Sequence, residues 1–300
     1  MKKIISLFLI VLFALTGCVN TNQVMNTGKK DKIKIVATLF PQYDFVRQVA
    51  GDKAEVSMLL NPGVDSHSFD PSPADIVKVS QADMFVYTGQ AIETWTAKVL
   101  QSADTNNMYI LDVSDRIEID LDAEGHEDPH IWTSPVNAVI MVENIEKALC
   151  SVDSENAEYY QNNARMYIEQ LRELDESFRN VVNSASRQEI VFGSRFAMHY
   201  FVQEYGLTYY AAFDSCSAHT EPSTKAVSDL IAKIKEDKIP AVYYAELEEP
   251  KIAKTIADET GSEMLLFHSC HNVSKDEFDA GVTYLELMQK NVENLRKGLM

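Results

Sequence analysis

Residues 154–185, SENAEYYQNNARMYIEQLRELDESFRNVVNSA, decide how the rest of the chain is read. Ala157, Tyr160, Ala164, Tyr167, Leu171, Leu174, Phe178, Val181 and Ala185 recur at alternating intervals of three and four, which lays one apolar seam along a helix. At 1.5 Å per residue that helix is about 48 Å long, enough to run beside two lobes. A coiled-coil dimer is the competing use of such a seam. The reading adopted is a monomer whose helix packs along its own two halves. On either side, short apolar runs alternate with helical segments, the pattern of α/β architecture. Strands are expected at Lys34–Thr38, Glu55–Leu60, Met84–Tyr87 and Tyr109–Asp112 before the helix. A second set follows it, at Ile190–Gly193, Thr208–Ala212, Ala241–Ala245 and Glu263–Phe267.

Further helices announce themselves by a proline near the first turn, where its missing N–H costs nothing: Ser72-Pro73-Ala74-Asp75, Ser134-Pro135, Glu221-Pro222-Ser223 and Glu249-Pro250. In open α/β sheets the loops leading from strand ends into helices line the ligand crevice. Two lobes, one before and one after the long helix, would face each other across such a crevice.

The N-terminus carries a different signal. Lys2 and Lys3 precede an apolar run from Ile4 to Leu15 broken only by Ser6, too short for a permanent bilayer span and laid out like a secretory signal peptide. Leu15-Thr16-Gly17-Cys18 resembles the bacterial lipobox, in which the cysteine is lipidated and becomes the first residue. The expected organisation is therefore a signal peptide over 1–17, a lipidated tether over 18–32, an N-terminal α/β lobe over 33–152, a linking helix over 153–186 and a C-terminal α/β lobe over 187–300. The folded part would lie outside the cytoplasmic membrane, anchored through lipid on Cys18. That place excludes most ATP- or NAD-dependent intracellular chemistry.

Acidic residues outnumber basic ones 45 to 27, a net charge of −18 that falls to −20 once residues 1–17 are removed. Nucleic acid is excluded as a partner, because phosphate binding needs a basic face. The acidic balance serves solubility and is compatible with attracting cations. Four cysteines are too few for a disulfide scaffold. His67 lies in Asn61-Pro62-Gly63-Val64-Asp65-Ser66-His67-Ser68-Phe69-Asp70, and His130 in Asp128-Pro129-His130-Ile131-Trp132, each ahead of a proline-started helix. Their spacing alone does not identify a metal site, since they are not close pairs on one helix or hairpin.

These segments, together with Phe40-Pro41-Gln42-Tyr43, Tyr205-Gly206-Leu207, Thr220-Glu221-Pro222-Ser223 and Ala257-Asp258-Glu259-Thr260-Gly261, resemble the ZnuA/TroA-type lipoproteins, solute-binding proteins that deliver zinc or manganese to ABC importers. The likeness covers nearly the whole mature chain in order. It implies two Rossmann-like α/β lobes with parallel sheets, joined by one long rigid helix, with one metal ion in the cleft. The first two ligands of the family match His67 and His130. The third position falls on Arg195, which has no lone pair to offer and is expected to pair with a carboxylate such as Glu246 or Glu221. The fourth position is assigned to His268 in Leu266-Phe267-His268-Ser269-Cys270-His271.

The expected metal ligands are thus His67, His130 and His268. A fourth place is left to water, Glu246 or the Cys270–His271 turn, and Cys216 and His219 lie in reach as further donors. Three imidazoles favour Zn²⁺ over Mn²⁺, which wants more carboxylate. Proton competition would weaken imidazole ligation below about pH 6.5. A disulfide between Cys216 and Cys270 is the alternative to thiolate ligation outside the cell. Cys150 is read as a small buried apolar residue, His199 as structural, and the short acidic loop holding His126 as a solvated version of a metal-gathering loop.

The resemblance implies a non-enzymatic carrier of zinc (alternatively manganese) that partners an ABC permease and its ATPase. A cell-surface zinc hydrolase with Glu246 as base is the rival in another class. No His-Glu-x-x-His helix or nucleophile elbow supports it. An adhesin acting in cell adhesion is the third reading.

Overall fold

The computed structural model describes residues 32–66, 69–89, 93–121, 127–213 and 222–300. The signal peptide, Cys18, His67, His126, Cys216, His219 and Glu221 lie outside the described residues. Before the long helix come β1 (Ile33–Ala37), α1 (Phe40–Ala50), β2 (Ala54–Met58), α2 (Pro73–Ser80), β3 (Met84–Tyr87), α3 (Thr96–Ser102), β4 (Tyr109–Asp112) and α4 (Pro135–Val152). The long helix is α5 (Ala157–Ser184), entered through a single 3-10 turn at Ser154–Asn156. After it come β5 (Glu189–Arg195), α6 (His199–Tyr205), β6 (Thr208–Phe213), α7 (Thr224–Asp237), β7 (Ala241–Tyr244), α8 (Lys251–Thr260), β8 (Glu263–Leu266), α9 (Lys275–Asp279) and α10 (Tyr284–Leu299).

All eight expected strands form, within a few residues of their expected ends. They pair in parallel as β2-β1-β3-β4 and β6-β5-β7-β8, so the same order is built once on each side of α5. In each sheet the order reverses at the first strand, which places the ligand crevice beyond the carboxyl ends of the strands. Gly193 in β5 permits close approach of α8, since a Cβ there would fall 2.5 Å from the Ala253 Cα.

The seam on α5 is buried from Tyr160 through Ala164, Tyr167, Leu171, Leu174 and Phe178 to Val181, and half-buried at its ends, Ala157 and Ala185. It packs against α1 and α4 on one side of the molecule and against α6 and α10 on the other. One apolar core consequently runs from Ile35 and Met84 in the first sheet, through α5, to Phe192 and Tyr243 in the second. Asp44 of α1 fastens this junction: buried, it accepts hydrogen bonds from Arg47, from Gln48 and from the Tyr284 N–H that opens α10.

The proline signals act locally as expected. Ser72 and Ser134 cap α2 and α4, with Pro73 and Pro135 in the first turn, and Ser223 caps α7 just after Pro222. Among the described residues, no helix is long and apolar enough to cross a membrane.

Candidate metal centre

The loops at the carboxyl ends of both sheets are tied to one another by hydrogen bonds. The Asn272 amide donates to the Asn61 and Val64 carbonyls at 2.9 and 2.8 Å, and the Gly63 N–H donates to the Val273 carbonyl at 2.8 Å. The Trp132 indole N–H donates to the Ser269 carbonyl at 2.8 Å, and the Tyr284 hydroxyl donates to the Trp132 carbonyl at 2.7 Å. These bonds set the β2–α2 loop and the loop before α4 against the turn after β8.

Between them lies a cavity of about 140 Å³ whose wall includes Ser66, His130, Arg195, Glu246, Glu248 and His271. That is below the roughly 300–1,000 Å³ of organic-ligand pockets. It suits an ion with little company. The carboxylates of Asp65, Glu246 and Glu248 face it against the single guanidinium of Arg195, so the charged side chains in its wall sum to a field that attracts cations.

His130 is 1% exposed. Its Nδ1 lies 2.7 Å from an oxygen of Asp128, which also accepts the His130 backbone N–H at 2.9 Å. A carboxylate oxygen can only accept, so Nδ1 carries a proton and donates it, which leaves Nε2 as the ring atom available to a ligand. That Nε2 is buried and has no hydrogen-bond partner among the described residues. Burial alone would raise the Asp128 carboxyl, but His130, with His199 nearby, outweighs it and holds the group below its ordinary value. The Tyr200 hydroxyl donates to the Asp128 carbonyl at 2.7 Å and keeps this segment in place from α6. Carboxylate–imidazole pairs of this kind orient metal ligands and raise their basicity. Asp128→Asn is therefore expected to weaken zinc binding 10- to 100-fold with little change in fold, checked by competition titration against a zinc chelator.

The histidine expected at the fourth position stands apart. His268 does not line this cavity. It lines a separate one with Glu277, Lys290 and Asn294, and its Nδ1 accepts the Cys270 backbone N–H at 2.9 Å. Its proton is thus on Nε2, and ligation through Nε2 would set an Nδ1–H against that N–H. His271 stands in the cleft instead. Its ring centroid is 5.6 Å from that of His130 and 5.6 Å from that of Trp132, and its Nε2 hydrogen-bonds the Ser66 hydroxyl at 2.7 Å.

Cys270 is a free thiol packed in the core, and Cys216, its expected disulfide partner, lies outside the described residues. Burial, with the nearby acidic groups, pushes its thiol well above the ordinary range. The Glu246 carboxylate accepts the Ser269 N–H at 2.8 Å and hydroxyl at 2.5 Å, shaping the turn that carries His271. Arg195 pairs with Glu248 and with Asp65, at 3.5 Å, rather than with Glu246. Cys150 is half-buried and free, with its Sγ 3.6 Å from the Ala157 carbonyl.

Among the described residues no three His, Cys, Asp or Glu side chains converge as a complete cation cage. His130 and His271 are the imidazoles the cleft brings together there. Sequence reading passed over Asp128, whose signal was a carboxylate two residues ahead of a loop histidine. It also passed over Ser66, Trp132 and Asn272, which only tertiary packing brings to the cleft.

Residues 35–298 match the family model described as zinc-uptake complex component A, periplasmic. The chain is 30% identical over 316 residues to the high-affinity zinc uptake system protein ZnuA of Bacillus subtilis, covering 100% of this chain and 98% of that protein. It is 33% identical over 311 residues to the zinc-binding lipoprotein AdcA of Streptococcus pneumoniae, covering 99% of this chain but 61% of AdcA's length. Among solved structures, the Zn(II)-bound ZnuA-like domain of that AdcA superposes with a TM-score of 0.78 at 30% identity, over 89% of this chain and 99% of the domain. The metal-dependent lipoprotein YcdH of Bacillus subtilis superposes with a TM-score of 0.80 at 31% identity, over 89% of this chain and 99% of that one.

Proposed function

The chain belongs to the zinc-uptake complex component A family, and from that premise we propose that it is an extracytoplasmic solute-binding protein that captures Zn²⁺ in the cleft and delivers it to an ABC permease and its ATPase. The observation that carries the reading is the His130 Nε2: with Nδ1 turned to Asp128, it is buried and has no hydrogen-bond partner among the described residues, on a ring that lines a cavity His271 shares. An unpaired acceptor in a dry site is costly unless something binds it.

His130, His271 and His67 are the proposed protein ligands, with water closing a tetrahedron. Such a nitrogen-rich set suits Zn²⁺ better than Mn²⁺, which seeks six oxygen-dominated ligands. The cation is cargo, not a resident cofactor. A carrier's site needs no general base. Lipid on Cys18 would hold the protein at the membrane outer face, within reach of the permease.

Metal analysis of a soluble form beginning after Cys18 tests this directly. One equivalent of zinc and a zinc-dependent rise in melting temperature are expected, with a much smaller response to manganese. No bound zinc and no shift would refute the proposal.

A further inference from the structure

Every carboxylate in the cavity wall is already bonded to the protein. Glu246 is held by the turn at Ser269. Glu248 comes from the turn between β7 and α8, where Leu247 takes a left-handed φ of 58° that separates the two glutamates' directions. Its Oε1 accepts from the Arg195 Nε. Asp65, from the β2–α2 loop across the cleft, lies 3.5 Å from the Arg195 Nη1. Arg195 stands at the last residue of β5, beyond an irregularity in the β5–β6 register that follows Phe192, with its side chain 24% exposed. One guanidinium therefore gathers the Glu248 and Asp65 oxygens from opposite sides of the cavity. Among the described residues the His130 Nε2 has no hydrogen-bond partner.

Resting on the zinc-capture reading above, we propose that Arg195 is a specificity-determining residue that withholds the Glu248 and Asp65 oxygens from the cargo ion, so that the cleft discriminates against hard, oxygen-seeking divalent cations. A guanidinium never deprotonates, holds carboxylates in directed charge-assisted bonds, and cannot itself ligate. Its charge repels all divalent ions alike and so lowers affinity without choosing among them. Choice comes from which donors remain. Imidazole nitrogens suit Zn²⁺ and its neighbours in the transition series, whereas Mn²⁺ binding depends on carboxylate oxygens that the Arg195 bonds remove.

The test is the ratio of Zn²⁺ to Mn²⁺ affinity, measured by titration of the metal-free protein, with Mn²⁺ electron paramagnetic resonance as an independent count of bound ion. Arg195→Met is expected to raise Mn²⁺ affinity and cut the Zn²⁺/Mn²⁺ ratio at least tenfold. Adding Glu248→Gln to Arg195→Met should restore most of the ratio. An unchanged ratio in Arg195→Met, or a fall that survives Glu248→Gln, would overturn the proposal, because the effect would then be charge alone. Should Arg195→Met not fold, Glu248→Gln by itself decides: zinc affinity within about threefold is expected, and a loss beyond tenfold would show Glu248 to be a ligand. Absence of zinc binding by the unsubstituted chain would instead refute the capture reading, and this inference with it.

Discussion

His271→Ala and His130→Ala are each expected to abolish most of the thermal stabilisation that zinc confers, while His268→Ala keeps it. A ligand that binds only the folded state stabilises it by about 4 kcal/mol at a thousandfold excess over its dissociation constant. At roughly 2 °C per kcal/mol for a chain of this size class, that is a shift on the order of 8 °C. Removing an imidazole leaves the ion too few protein donors in a cavity that cannot collapse, because Asn272, Trp132 and Tyr284 brace its walls through bonds of 2.7–2.9 Å. His268→Ala acts differently. It removes the acceptor for the Cys270 N–H and lowers the melting temperature without metal, but leaves both cleft imidazoles in place. Differential scanning fluorimetry with and without zinc separates the cases. Retention of the shift in His271→Ala with its loss in His268→Ala would return the ligand role to His268 and refute the site described above.

The sequence carried the architecture well because its signals are local. A seam alternating three and four residues apart can only be a helix with one buried stripe, and α5 buries that stripe. Runs such as Met84–Tyr87 and Tyr109–Asp112 became strands at those bounds because a short, mostly apolar run between turn residues has no better use in an α/β chain. The site was only partly legible. His268 and His271 are three residues apart, and what separates them is the conformation of Cys270, with φ 60°, which no local pattern announces. That conformation is enforced from a distance. Asn291 on α10 accepts the His268 N–H and donates to the His268 carbonyl, each at 2.8 Å, and fixes the backbone at the start of the turn. The partner of Arg195 was missed for a similar reason. Glu246 and Glu248 are equally near in sequence, and only the left-handed turn at Leu247 and the Ser269 bonds assign one to the turn and the other to the arginine.

Phe178→Ala is expected to destabilise the fold by about 3–5 kcal/mol, the cost of emptying a large aromatic position in a close-packed core. The ring is fully buried on the α5 seam, 4.9 Å edge-on from Phe201 and 5.3 Å from Tyr205. These partners on α6 cannot close the gap without moving a helix that also holds Tyr200, and through it the Asp128 segment. Substitution of the exposed Arg172 on the opposite face of α5 should change stability by less than about 0.5 kcal/mol, which makes it the control. Urea unfolding followed by circular dichroism measures both. Zinc affinity of the Phe178→Ala protein, measured at 25 °C where it remains folded, is expected within about threefold of the unsubstituted chain. The cleft walls are bonded to each other directly, so α5 contributes to binding as a strut that keeps the two sheets in register. A Phe178→Ala protein that kept its stability but lost zinc affinity tenfold would show the opposite, that α5 transmits motion between the sheets and that the cleft depends on it.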